Sequence, residues 1–164
     1  MKNIILSVFF ALICQTSYAT NTTQQTQSTA TLTSSCIISS TGFSFGNLKS
    51  GQQSSTSGSF YNTCTKGTPY TIKFGWGNNI GTASQCQMTY ACPRMSLSDH
   101  SDYIPYYILL EDNYHAAGDG YYGNVYTSSG TGSLQTLTLN ANTYSNFFPK
   151  PGSYKDDVVV QVIY

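Results

Sequence analysis

The sequence predicts an all-β chain folded as an immunoglobulin-like β-sandwich. Three observations carry that expectation. Fourteen tyrosines and eight phenylalanines stand in a background rich in Gly, Ser and Thr, a composition that suits pleated strands. Apolar residues recur at period two in short runs, and no stretch sustains the 3.6-residue period of a helix. Seven or so such runs are separated by turn signals, the spacing of a two-sheet sandwich. No internal repeat is present.

The elements follow in order. Residues 1–19 read as a signal peptide. Lys2 is the positive start, Ile4 to Ile13 the apolar stretch, and Ser17-Tyr18-Ala19 places small residues where a signal peptidase cuts. The apolar stretch is too short to span a bilayer, so the mature chain is expected to be exported without inserting in a membrane. Residues 20–29 are uncharged and low in complexity and form an N-terminal arm. Residues 30–164 form the domain. Ala30, Leu32, Ser34, Cys36 and Ile38 alternate as a first strand with Cys36 inward, and Thr41-Gly42 turns the chain. Phe43, Phe45 and Leu48 suggest a second short strand, Ser50 to Ser59 a loop, and Ser59 to Thr65 a third strand bearing Cys64. After the Gly67-Thr-Pro69 turn, Tyr70, Ile72, Phe74 and Trp76 alternate with Thr71, Lys73 and Gly75, the clearest half-buried strand in the chain. Gly75 to Ser101 reads as a long irregular excursion. Ile104 to Glu111 is a strand, Asp112 to Gly123 a tyrosine-rich loop, Tyr121 to Thr127 a weakly paired segment, and Leu134 to Leu139 a strand alternating with threonines. Pro149 and Pro151 break the chain before the last strand. There Val158, Val160, Val162 and Tyr164 share one face, while Val159 and Ile163 make the other face apolar too. A strand apolar on both faces needs a sheet, a partner chain, or both.

Loss of the signal peptide removes Cys14 and leaves Cys36, Cys64, Cys86 and Cys92. An even number in an exported chain reads as two disulfides. Of three possible pairings, Cys36–Cys64 with Cys86–Cys92 is favoured, because the second pair closes a small loop. The first then spans 28 residues, worth about 3–4 kcal/mol in the chain-entropy model. Lys2 is lost as well, so six basic residues face seven acidic ones. With 9% of residues charged, the chain lacks the basic face that nucleic acid requires.

Chemistry-bearing constellations are sparse. Ser98, Asp99 and His100 supply triad residue types, but adjacency is not triad geometry, and a solvated loop is the better reading. Asp99, His100, Asp102, Glu111, Asp112, His115 and Asp119 cluster without a recognisable ligand spacing. No catalytic, cofactor or metal residue is assigned. Tyr114, Tyr121, Tyr122 and Tyr126 with Asp112 and Asp119 have the mixture of rings and acids that binds sugars, although rim packing explains such aromatics more often. Asn21-Thr22-Thr23 fits a glycosylation sequon.

Several motifs in one order resemble the spore coat protein U domain, which is also the domain of archaic chaperone–usher pilin subunits. They are Ser35-Cys36 with Phe45-Gly46-Asn47-Leu48; Asn62-Thr63-Cys64 with Gly67-Thr-Pro-Tyr-Thr-Ile72; Arg94-Met-Ser-Leu97 before Ile104-Pro-Tyr-Tyr-Ile108; Gly118-Asp-Gly120; Gly132-Ser-Leu-Gln-Thr-Leu137; and Pro151-Gly-Ser-Tyr-Lys-Asp156. The resemblance implies a sandwich missing one strand, which is supplied in trans by a periplasmic chaperone and later by the arm of another pilin subunit, with an outer-membrane usher assembling the fibre. It implies passage through the periplasm to a surface fibre. It also makes Val158, Val160, Val162 and Tyr164 the strand beside the vacant groove, and residues 20–29 a candidate donor strand. One departure stands out: the arm holds nothing larger than Thr or Gln, and Leu32 is its first large apolar candidate. The expected function is that of a minor structural pilus subunit serving attachment or biofilm formation. The alternatives are a secreted adhesin or lectin-like module and a spore or coat structural protein.

Overall fold

The computed structural model describes residues 27–86 and 91–164. The expected signal peptide lies outside the described residues, as does most of the expected arm. Residues 27–32 belong to one unit and are exposed without regular structure; Thr33–Tyr164 form the other. The second unit contains β1 (Cys36–Ser40), β2 (Ser55–Cys64), β3 (Pro69–Phe74), the short α1 (Ala83–Cys86), β4 (Arg94–Ser96), β5 (Tyr103–Leu109), β6 (Tyr126–Ser129), β7 (Gln135–Thr143) and β8 (Val160–Ile163).

The strands form two antiparallel sheets, a five-stranded one in the order β1-β2-β7-β5-β4 and a three-stranded one in the order β6-β3-β8. Period-two alternation sends one side of each strand inward. Phe60, Asn62 and Cys64 of β2 are buried, as are Tyr106 and Ile108 of β5, Leu137, Leu139 and Ala141 of β7, and Tyr70, Ile72 and Phe74 of β3. The apolar members make one core drawn from both sheets, the all-β sandwich expected from the sequence. Each large side chain removed from water there contributes about 1.5–3 kcal/mol.

Several boundaries differ from expectation. The first strand begins at Cys36 rather than Ala30, and Leu32 is exposed; the Ser/Thr run before Cys36 offers no apolar face to hold it on a sheet. Phe43 to Leu48 is not a strand. Gly42 and Gly46 both take positive φ, which interrupts extended backbone, yet Phe43 and Phe45 still pack on the core. The loop expected over Ser50 to Ser59 ends early, because Ser55 to Asn62 pairs with β7 from Asn142 to Gln135. Non-local pairing there overrides a Gly/Ser composition. Trp76 lies beyond β3. The excursion after Gly75 contains α1 and β4, and β4 pairs Arg94, Met95 and Ser96 with Pro105, Ile104 and Tyr103.

Candidate functional site

The last segment of the chain crosses from one sheet to the other. Lys155 exchanges two backbone hydrogen bonds with Ser96 at the edge of the larger sheet, at 2.9 and 2.8 Å. Four residues later Gly75 donates to the Val159 carbonyl at 2.8 Å, and β8 runs antiparallel to β3 with Phe74 opposite Val160 and Ile72 opposite Val162. In an antiparallel ladder the backbone groups of successive residues point to opposite sides. Val159, Gln161 and Ile163 therefore turn their N–H and C=O toward β3. Val160 and Val162 turn theirs along the other edge, where no described strand pairs with β8.

Beside that free edge lies an apolar groove of about 410 Å³. Phe60, Leu139 and Ile108 of the larger sheet form its floor. Val158 and Val160 make one wall, and Phe43 and Phe45 stand on the opposite side. Gly58 permits this shape. A Cβ there would collide with the Gly42 carbonyl and approach the Phe43 ring at 3.0 Å, so only glycine lets residues 42–45 close over β2. Phe45 meets Tyr106 edge-on at 6.0 Å between ring centres. Five strands face three, and the groove lies between β8 and residues 42–45, against core residues that are themselves buried.

Its mouth is polar and fixed. The Tyr106 hydroxyl, on a buried ring, donates to Asp156 Oδ2 at 2.7 Å. Burial first, and the Asp156 hydrogen bond second, push the Tyr106 pKa well above that of an ordinary phenol. Asp156 Oδ1 accepts from the Asn78 backbone N–H at 2.9 Å. Below it, Asp102 Oδ2 accepts from the Lys150 N–H at 2.6 Å and from the Tyr154 hydroxyl at 3.1 Å, anchoring the loop that leads into the crossing segment.

Of the residues singled out in the sequence, Val158 and Val160 line the groove. Val162 packs on the core. Tyr164 lies past the end of β8, 58% exposed and outside the groove lining, and Leu32 is 83% exposed. Sequence reasoning missed Gly58, Met95, Tyr106 and Asp156 as groove residues. The alternation of Phe43 with Phe45 is the available signal for the far wall, although in sequence it has the pattern of a strand. The cysteines bond as Cys36–Cys64, across the β1–β2 pair, and as Cys86–Cys92.

The other polar clusters are separate. His100 Nδ1 meets Ser96 Oγ at 3.3 Å rather than Ser98, and Asp99 accepts from the Ser101 N–H, so no triad assembles from Ser98, Asp99 and His100. Asp112 pairs with His115. The hydrogen bond from that imidazole, followed by the backbone N–H groups of His115 and Tyr114, lowers the Asp112 carboxyl to about 2. Asp119 accepts from the N–H groups of Tyr121 and Tyr122 at 2.9 and 3.2 Å and from the Trp76 indole at 3.4 Å. Among the described residues no group of three or more His, Cys, Asp or Glu could hold a metal ion, and no helix is long and apolar enough to cross a membrane.

Comparison with known proteins places this architecture. The Spore Coat Protein U domain matches residues 22–161. The chain belongs to the Spore Coat Protein U domain family. A chain in the crystal structure of the CsuC–CsuE chaperone–tip adhesion subunit pre-assembly complex, from archaic chaperone–usher Csu pili of Acinetobacter baumannii, is similar in fold, with a TM-score of 0.58 and 16% sequence identity. The similarity covers 82% of the present chain and 41% of that one, so the present chain spans less than half the length of its structural relative. No curated protein sequence matches the chain. In this member of the Spore Coat Protein U domain family, the free edge of β8 and the groove beside it stand out as the candidate site.

Proposed function

We propose that the chain is a structural subunit of an archaic chaperone–usher pilus, assembled by donation of a strand in trans. The observation that carries this is the apolar groove beside the unpaired edge of β8. An added strand would bond to the backbone groups of Val160 and Val162 and seat alternate side chains over Phe60 and Leu139. This is β-augmentation, in which main-chain bonds give affinity and pockets give specificity. The expected signal peptide and the two disulfides fit export through an oxidising compartment. A periplasmic chaperone would fill the groove first, an outer-membrane usher would present the subunit, and another pilin would replace the chaperone strand. The chain would thus act without catalysis, as a minor component of a surface fibre serving attachment or biofilm formation.

The test is capture of the chaperone. Val160→Asp places a carboxylate in the apolar wall, at a cost of several kcal/mol; it is expected to abolish co-purification with the periplasmic chaperone and display at the surface. Val160→Ile is expected to assemble normally. Retention of chaperone binding and surface display by Val160→Asp would contradict the reading. A second reading, a glycan-binding adhesin, is favoured by one feature: Tyr121 is 79% exposed, meets Tyr122 edge-on at 4.3 Å and donates its backbone N–H to Asp119, while Tyr122 in turn meets Trp76 edge-on. Sugar-specific binding on a glycan array, lost in Tyr121→Ala, would support it.

A further inference from the structure

We infer that the groove is built for a strand from a different chain, carrying large alternate apolar residues and a basic residue at one end, and not for the N-terminal arm of a second copy of this chain. The inference rests on the strand-acceptor reading above and concerns which partner fits.

The groove's size sets the first requirement. At about 410 Å³ it exceeds twice the volume of a cavity of about 150 Å³ that takes up benzene, so two or three large side chains are needed to fill it. Phe43, Phe45, Phe60, Ile108, Leu139, Val158 and Val160 give it an apolar lining, and its hydrogen-bonding side chains are Ser40, Ser59 and the set from Tyr106 and Tyr154 to Asp157 at the mouth. Thr22, Gln24, Thr26 and Ser28, or in the other phase Asn21, Thr23, Gln25 and Gln27, would bring hydroxyls and amides into that space, and buried polar groups without partners are unfavourable. Sliding the arm to bring in Leu32 supplies one large side chain, with Ala30 beside it. Reach is not the obstacle, because Thr20 to Leu32 spans about 43 Å when extended, several times the length of β8.

Charge sets the second requirement. Asp156 and Asp157 stand at the mouth with Lys155 as the one cation beside them, leaving net negative charge. No charged residue of either sign occurs between Lys2 and Lys49, so the arm has nothing to offer this mouth. A partner strand with Lys or Arg at one end complements it. Subunits of this kind cannot chain together through their own arms; each must be followed by a different subunit.

The experiment appends strands through a flexible linker after Tyr164 of the full mature chain and measures Tm and monomeric state. One fusion carries a copy of residues 20–32. A second carries the same copy with Thr22→Val, Gln24→Leu, Thr26→Ile and Ser28→Val. A third adds a Lys at each end of the apolar strand. The own-arm fusion is expected to melt with the unfused protein. The apolar strand is expected to raise Tm by about 10 °C or more, and the added lysines to give a further, salt-sensitive rise that Asp157→Asn removes. Equal stabilisation by the unaltered arm would overturn the inference while leaving the strand-acceptor reading intact. No stabilisation by any strand would overturn that reading itself. Lysines without effect would overturn the charge requirement.

Discussion

Asp156 shows how a single carboxylate shapes the site. It sits against Gly77, where a Cβ would collide with the carboxylate, and Gly77 holds a φ of +71°. Alanine is therefore opposed twice, by backbone conformation and by the displaced carboxylate. Displacement leaves the Tyr106 hydroxyl without its partner at the edge of the core. Gly77→Ala is expected to lower stability by about 2–4 kcal/mol in denaturant unfolding, with the loss centred on the groove mouth. Asp102 makes a different prediction. Its carboxyl lies below the ordinary value chiefly because the Lys150 N–H binds it, with Tyr103 and Tyr154 adding to the effect against the opposing pull of burial. A carboxyl held lower in the fold than in the unfolded chain binds its proton more readily after unfolding. Its contribution is thus complete above the unfolded value, near 3.9, and is lost as pH falls through the lower folded value. Acid unfolding followed between pH 5 and pH 2, as about the span of carboxylate titration, is expected to show a shallower fall in stability for Asp102→Asn than for the parent chain.

Elements at sheet edges explain what the sequence could and could not reveal. Cys36, Cys64 and the Tyr70–Ile72–Phe74 alternation were legible because each depends on a short local pattern. The length of β2 was not, since Ser55 to Gly58 reads as a loop until β7 pairs with it. The far wall of the groove was half legible: the phenylalanines were visible, but Gly42 and Gly46 turn the segment out of the sheet, and that needs φ. Asp156 was invisible as a site residue because its partners, Asn78 and Tyr106, are 78 and 50 positions away. The edge strand β1 depends on β2 alone for sheet pairing, and the Cys36–Cys64 bond ties the two at one end of their register. Cys36→Ser with Cys64→Ser is expected to cost about 2–5 kcal/mol and to lower export yield. Hydrogen exchange should locate the loss first in β1.

At the scale of the whole molecule, five strands face three, and the groove lies beside β8, an edge strand of the smaller sheet. In the proposed assembly β8 is the edge that takes a partner strand, and the backbone sets which of its atoms are open. Gln161 and Ile163 direct their amides to β3, whereas Val160 and Val162 direct theirs into the vacant lane. Residue-resolved hydrogen exchange across β8, in the chain alone and with the periplasmic chaperone of the proposed assembly bound, tests this most directly. Slow exchange is expected at Gln161 and Ile163 in both states, and exchange at Val160 and Val162 that is fast in the free chain and slow in the complex. Fast exchange at Val160 and Val162 in the complex would contradict it.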